Sequence, residues 1–567
     1  MTKAADHSFF SLFHCWFGAL FPWQRSGKPY ACARISSVGC RNQARALGNK
    51  FLIPQIELAR LCFVFFAILN FSSDYILHAG DLSSRGTNIV FFLADDLGWT
   101  GLKCFGSDFY ETPHLDRLAK NGMRFTDAYA ACTVCSPTRA SIMTGLYPAR
   151  IHLTDFIAGQ NRPFAKLRIP DWKKGLDHDY VTIAEQLHGF GYRTALIGKW
   201  HLNQAGSDST ASSPESQGFD YVVDKPNGTK GYRLPSDVPP IGKSKREYLT
   251  DYLTDHAIRF LDESKSEPFF LYFAFHVPHT PISGRDDLVD AFKSKAKDDA
   301  IHNNPDYAAM VASMDESVGR IVERLEQLGL TDNTLVVFTS DNGGLTQRYG
   351  KHDGFTENLP LRRGKGSAYE GGVRVPTIIR WPGVTQPDSI CHEPISSVDY
   401  YPTLLEVARG TKATQETMIT DGRSLVPVLR NPTESFERDL FWHYPHYHAG
   451  GDGPYGAVRS GNWRLIEFYE TGLLELYDLS EDIGEKHNLA TINERKANEL
   501  HNRLQRWRQE VAAQMPTANP SHDPDRADQV RRRCNELREK TGAMELVCRE
   551  FRFQVLFWLR RISPPRM

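Results

Sequence analysis

Side chains able to do chemistry gather in this sequence where strand-like runs stop. Asp95 and Asp96 follow the apolar run Asn88–Ala94 (NIVFFLA), and Lys199, Trp200 and His201 follow Thr194–Gly198. His276 and, past a proline, His279 follow FFLYFAF, while Asp341 and Asn342 follow TLVVFT. In open α/β sheets ligands bind beyond the carboxyl ends of the strands. Four such ends would bring carboxylates, an amide, imidazoles and an ammonium to one edge. Asp95, Asp96, Asp341 and Asn342 offer oxygen, the donor that hard divalent cations such as Ca²⁺ prefer. No Cys or His spacing matches a closed zinc site. Taken alone, an Asp-Asp pair after a strand is more often a helix cap or turn; two acidic strand ends in one domain favour a metal.

A second signal is Cys135-Ser136-Pro137-Thr138-Arg139. Proline favours the first helical position, which places Cys135 just ahead of a helix N-terminus, where exposed N–H groups and the dipole favour negative charge. Arg139 lies one turn on, within reach of an oxyanion. On the residues alone three readings stand: a reactive cysteine with a stabilised thiolate, a buried structural cysteine, and a Cys132-x-x-Cys135 redox pair, the last without a thioredoxin-like unit around it. Lys365 and Arg374 lie in a glycine-rich stretch, where Lys365 alone reads as a surface lysine. His276 reads equally as support behind the site or as a core histidine bonded to backbone. His443, His446 and His448 (FWHYPHYH) either reach a substrate or belong to a solvated aromatic loop. Asn227-Gly228-Thr229 is an acceptor sequon in a host that glycosylates.

The elements that must position these groups alternate strand and helix from Thr87, the pattern of a sheet covered by helices. Thr112-Pro113 predicts a helix start, with its end near Asn121-Gly122. Thr182 and Glu185 predict a capping box. An amphipathic helix is expected over Tyr307 to Leu328, with Ala309, Val311, Met314, Val318, Ile321, Val322 and Leu325 on its apolar face. After about Ser424 short strands separated by polar turns, then a helix over Glu494 to Ala512, read as a small α+β unit. The expected division is a leader over 1–85, a catalytic domain over 86–423, a subdomain over 424–515 and a basic, partly ordered extension over 516–567.

At 567 residues the chain exceeds one ordinary domain. Its 67 basic and 68 acidic residues nearly cancel, which argues against a nucleic-acid coat. Ten cysteines over this length are no disulfide framework. Apolar runs at Phe9 to Trp23 and Leu61 to Phe71 are flanked by basic residues, and Leu77-His78-Ala79 before Gly80 is a passable cleavage site. Neither reaches the ~18 residues of a spanning helix. A start upstream of a true signal peptide is the favoured reading. The protein is expected to be exported (periplasmic, secreted or lysosome-like), with a membrane anchor through that segment or a plain disordered leader as the alternatives.

The run CSPTRASIMTG resembles the C-x-P-x-R-x-x-x-x-T-G signature of the formylglycine-dependent sulfatases, arylsulfatase-like enzymes of alkaline-phosphatase-like fold. NIVFFLADDLGW, GKWH at 198–201, PHTP at 278–281, DNGG at 341–344 and GKGSAYEGGVRVP from Gly364 are similar to that family in the same order, and the likeness runs from about Thr87 to Ala490. It implies an α/β fold, a large mixed sheet sandwiched by helices with a smaller C-terminal α+β domain. It implies that Cys135 is oxidised by a formylglycine-generating enzyme to an aldehyde, hydrated to a gem-diol. One Ca²⁺ would be held by Asp95, Asp96, Asp341, Asn342 and the modified Cys135. Arg139 would orient the diol beside His201, while Lys199, His279 and Lys365 would grip the sulfate. The diol would attack sulfur, His279 or Lys365 would protonate the alcohol, and His201 would take the proton whose loss expels sulfate.

Competing readings are a phosphate or phosphonate ester hydrolase of the same fold and a non-catalytic binder of sulfated glycans. A phosphatase would want Thr or Ser as nucleophile and more ligands for two metals. Aromatic loops with His and Asp around Thr154 to Gln160 and His443 to Tyr455 favour a sulfated sugar over a steroid, with an aryl sulfate also allowed.

Overall fold

The computed structural model describes residues 86–532 except 205–211, 242–246, 297–300, 347–353, 410–419, 450 and 530. The leader expected over 1–85 and the extension past 532 lie outside these residues. In chain order the elements used below are β1 (Asn88–Ala94), α1 (Pro113–Lys120), β2 (Met123–Phe125), α2 (Cys135–Thr144), α3 (Ile183–Gly189), β3 (Arg193–Gly198) and β4 (Tyr221–Val223). They continue with α4 (Leu249–Ser264), β5 (Phe269–Ala274), α5 (Pro305–Gln327), β6 (Thr334–Ser340), β7 (Thr377–Arg380), β8 (Ser389–Cys391) and α6 (Tyr400–Arg409). β9 (Asp439–Tyr444), β10 (Tyr455–Ser460), β11 (Trp463–Phe468), β12 (Leu473–Asp478) and α7 (Glu494–Glu510) follow.

The large sheet has the order β8-β2-β7-β6-β1-β5-β3-β4. β1 pairs in parallel with β5 and β6, and β3 in parallel with β5 and β4. β7 runs antiparallel to its neighbours β6 and β2, so the sheet is mixed. β1 is apolar after its first residue because both of its faces are covered. Val90 and Phe92 pack with α1, α4 and α5 on one side. Ile89, Phe91 and Leu93 pack with α2, α3 and α6 on the other. Truncating a fully buried ring such as Phe92 would cost about 3–5 kcal/mol. The apolar face expected of α5 is buried, Val322 only partly.

Capping explains where the helices begin. Thr182 and Glu185 make both bonds of the capping box at α3. At α1 the Thr112 hydroxyl does not cap. The Asp315 carboxylate, from α5, accepts the His114 and Leu115 N–H groups at 3.1 and 2.8 Å instead. α2 begins at Cys135, two residues before the start that Pro137 suggested. Pro137 sits at the third position, where its missing N–H costs no helical hydrogen bond.

β9 to β12 form an antiparallel four-stranded meander. Trp442, Tyr444, Tyr455 and Ile466 on one face pack against Tyr129, Val134 and Tyr369. Val458, Leu465 and Leu476 on the other pack against Leu500, Leu504 and Trp507 of α7. Thr517–Ala518 then pair with Leu167–Arg168, and Asn519 donates to the Pro163 and Ala165 carbonyls. No helix among the described residues is long and apolar enough to cross a membrane.

Candidate active site

Register alone brings the expected residues together. Ala94 stands opposite Ser340, and Leu93 and Gly198 both stand opposite Ala274. The chain continues past those levels with Asp341 N–H bonded to Ala94 O at 3.1 Å and Lys199 N–H bonded to Ala274 O at 2.8 Å. Gly198, at φ 104°, must be glycine, because a Cβ there would lie 1.9 Å from the Ala274 carbonyl. Asp96 and His201 take positive φ of 67° and 60° without being glycine, the kind of local strain that tertiary contacts must hold.

Asp95, Asp96, Cys135, Lys199, His201, His279 and Lys365 line one cavity of about 730 Å³. The Lys199 ammonium lies 2.6 Å from Asp95 Oδ2, and that of Lys365 2.7 Å from Asp96 Oδ1 and 3.5 Å from Cys135 Sγ. His279 Nε2 is 3.7 Å from Asp96 Oδ2. Asp341 is fully buried behind this layer. Arg139 donates to its Oδ2 through Nε and Nη2 at 2.9 and 2.7 Å, and to the Lys199 carbonyl through Nη1 at 2.6 Å. Arg139 therefore fastens two strand ends to α2. Asn342 donates to Asp96 Oδ1 at 2.8 Å.

Burial opposes ionisation of Asp95, yet Lys199, with His279 and Arg139, outweighs it and holds the carboxyl well below the usual range. Burial and then Asp95 push Asp341 up despite Arg139. Lys365 is pushed up against its burial by Asp96. Burial, then Lys199, lowers His201 well below the usual imidazole value. Burial, reinforced by Asp341, pushes the Cys135 thiol up, a direction that favours the buried neutral cysteine over the stabilised thiolate, and Sγ lies 3.5 Å from Asp95 Oδ1. Cys132 and Cys135 are both free and buried.

The donor set fits a hard cation. Asp95, Asp96, Cys135 and His279 each offer an atom within 4.8 Å of the others. Asn342 Oδ1 is buried with no hydrogen-bond partner among the described residues, a lone pair with nothing to accept. Asp341 and Asn342 complete an oxygen-rich group around the same acids.

The remaining candidates divide. His276 lines the cavity and meets Asp224 Oδ1 at 2.8 Å. His448 lines it too, buried against Gly366, whose φ of 82° and missing Cβ make room for the ring. His446 meets the Thr154 hydroxyl at 2.8 Å, and His443 the Tyr469 hydroxyl at 2.7 Å. All three are buried, so the solvated loop is corrected: His443 lies on β9, and the connection from β9 to β10 carries His446 against Thr154 and His448 against Gly366. Arg374 does not line the cavity and pairs with Asp127 and Glu370. Asn227 is exposed. Phe156, in the aromatic loop singled out above, lines the cavity, while the sequence reading missed Asn203, Asp224 and Tyr232 as cavity wall.

Comparison with known proteins agrees with this geometry. Residues 87–411 match the family model described as Sulfatase, and residues 364–514 the model for N-sulphoglucosamine sulphohydrolase, C-terminal. A sulfatase of Formosa agariphila is 32% identical over 75% of this chain and 89% of its own. Human arylsulfatase A is 32% identical over 73% of this chain and 85% of its own. The solved structure of Ps i-CgsB in complex with k-i-k-neocarrahexaose superposes with a TM-score of 0.62 at 27% identity, covering 82% of this chain and 98% of that one.

Proposed function

The chain belongs to the sulfatase family and is a sulfate-ester hydrolase, and from that premise we propose a sulfated carbohydrate or aryl sulfate as substrate, with Cys135 matured to formylglycine beside one Ca²⁺. The observation that carries the reading is the convergence of Cys135, Asp95, Asp96, Lys199, Lys365 and His279 on one cavity wall.

Asp95, Asp96, Asp341, Asn342 and the modified Cys135 would hold the cation, which would offset charge developing on the sulfuryl oxygens. Formylglycine, as its hydrate, offers two hydroxyls on one carbon, one to join sulfur and one whose deprotonation releases sulfate; a serine lacks the second. Lys199 and Lys365 supply fixed donors for the sulfate oxygens in a buried setting, where each is worth more than in water, and His279, whose Nδ1 meets the Thr280 carbonyl at 2.7 Å, would donate through Nε2 in its protonated form. Arg139 keeps Asp341 and the Lys199 backbone in register with Cys135. His279 or Lys365 protonates the departing alcohol, and His201 takes the proton from the remaining hydroxyl. Asn203, Asp224, Lys225 and His276 beside Phe156 and Tyr232 give the cavity the mixture of hydrogen-bonding and apolar wall that suits a sugar. The carbohydrate bound by Ps i-CgsB supports the same class.

The first test is the mass of the Cys135 peptide from a host with formylglycine-generating machinery, joined to sulfate release from aryl sulfates, carrageenan oligosaccharides and a phosphonate monoester. An aldehyde at position 135 with sulfate release supports the proposal. An unmodified cysteine, in a host that converts a control sulfatase, overturns the nucleophile. Release from the phosphonate alone overturns the substrate class. Export is proposed from the Leu61 to Phe71 run, and N-terminal sequencing of protein recovered outside the cytoplasm tests it.

A further inference from the structure

His201 is held in an unusual way. Its Nε2 lies 2.5 Å from the Ile157 carbonyl oxygen. A carbonyl only accepts, so the proton of that bond sits on Nε2. Nδ1 is buried and has no hydrogen-bond partner among the described residues. A second proton there would be a buried donor without an acceptor, in a setting shared with the cations of Lys199 and Arg139, a costly arrangement. The ring is therefore neutral, with its lone pair on Nδ1.

The carbonyl that sets this tautomer is itself fixed from two sides. Ser136, next to Cys135, accepts the Ile157 N–H at 3.1 Å and donates to the His201 carbonyl at 2.9 Å, so one hydroxyl ties both partners to α2. On the other side stands Asp155, fully buried two residues before Ile157. Its Oδ1 accepts the Phe156 N–H at 2.9 Å and the Tyr444 hydroxyl at 2.9 Å, and its Oδ2 accepts the Gln160 N–H at 3.4 Å. This carboxylate folds residues 155–160 into the turn that presents the Ile157 carbonyl. Through Tyr444 of β9 it anchors that turn to the C-terminal sheet.

We propose that Asp155 is a positioning residue for hydrolysis, holding the Ile157 carbonyl so that His201 remains the Nε2–H tautomer with Nδ1 as its proton acceptor. The kinetic consequence rests on the hydrolase reading; the tautomer does not. Partners that orient a functional imidazole typically matter by about 10- to 100-fold when removed.

The experiment uses full-length protein from a converting host. The kcat and KM for an aryl sulfate are measured for Asp155→Ala, Asp155→Asn and Tyr444→Phe, each with His201 present and with His201→Ala. Ring ¹⁵N and ¹³C shifts of His201, assigned by its loss in His201→Ala, read the tautomer. Asp155→Ala should lower kcat by about 10- to 100-fold with KM within about twofold, and Asp155→Asn and Tyr444→Phe should fall between it and the native protein. In the His201→Ala background the same changes should cost less than about twofold, because a residue acting through His201 has nothing left to position. The native ring should read Nε2–H and become mixed in Asp155→Ala. An equal loss in both backgrounds, or a native ring protonated on Nδ1, overturns the proposal. If Asp155→Ala does not fold, the same cycle is decided with Tyr444→Phe and Asp155→Asn. Absence of turnover in the native enzyme would count against the hydrolase reading, while the NMR arm would still decide the tautomer.

Discussion

Two buried clusters in this molecule hold matching sets of acidic and basic side chains. At the strand ends Asp95, Asp96 and Asp341 face Arg139, Lys199 and Lys365. Beneath the C-terminal sheet Asp127, Glu370 and Glu485 face Arg374, Arg459 and Arg464. In the second cluster the acids and cations close on one another. Arg374 spans Glu370 at 3.1 Å and Asp127 at 3.0 Å, Arg464 spans Glu370 at 3.0 Å and Glu485 at 3.3 Å, and the Tyr129 hydroxyl donates to Glu370 at 2.7 Å. The first cluster matches acids with bases equally well but opens on a cavity, and Asn342 Oδ1 and His201 Nδ1 there have neither a hydrogen-bond nor an ion-pair partner among the described residues, whereas Glu370 Oε1 and Glu485 Oε1 of the second cluster meet Arg464. A matched set of buried acids and bases therefore does not mark a reactive site. Polar atoms left without any partner beside a cavity do.

The contrast can be broken most forcefully at Cys135. Cys135→Ala should reduce sulfate release by at least about 10⁴-fold, as removal of a nucleophile does, while the urea midpoint stays near that of the native protein. A large loss of stability would show that this cluster, too, is structural. Glu370→Ala should do the opposite. It leaves Arg374 and Arg464 buried without a shared partner and should cost about 3–5 kcal/mol in urea unfolding, with kcat of the folded fraction within about twofold. Loss of turnover at unchanged stability would erase the distinction.

Calcium sharpens the comparison at smaller amplitude. Chelation should abolish turnover reversibly and lower stability, and Ca²⁺ at a hundred times its dissociation constant should restore about 2.7 kcal/mol. In Asn342→Leu that gain should shrink, whereas in Glu370→Ala it should persist; a gain untouched by Asn342→Leu would remove the amide from the ligand set.

The smallest effect is a pH slope. Burial, with Glu370 close by, pushes the Glu485 carboxyl up to about 8 even though Arg464 opposes the shift. The folded protein then holds this proton over a range where the unfolded chain has released it. Its contribution to stability is complete below the ordinary glutamate value and is lost as pH rises through about 8. Urea midpoints measured from pH 5 to 9 should fall, and Glu485→Gln should flatten that fall.

Much of this was legible before any coordinates. The strand β1 and the acids after it, the motif at Cys135 and the capping box at α3 are local statements, made by apolar runs and by side chains bonding within a few residues. What failed were statements about the surroundings of single side chains, which neighbours from far along the chain decide. Cys135 sits at a helix N-terminus, as its sequence implies, yet burial, reinforced by Asp341, pushes its thiol up. His443, His446 and His448 look like a polar loop, yet all are buried. Arg374 looks like Lys365 in a glycine-rich stretch, but only Lys365 reaches the cavity.

The sequence by itself determined which residues could react and which strand end would present them, because side-chain chemistry and strand periodicity are properties of short stretches. Only the tertiary structure decided which atoms still had a free lone pair once the chain closed. Asn342 Oδ1, His201 Nδ1 and the Asp315 carboxylate that caps α1 are each set by partners between about 40 and 250 residues away, and hydrogen bonds over such separations have no local signature.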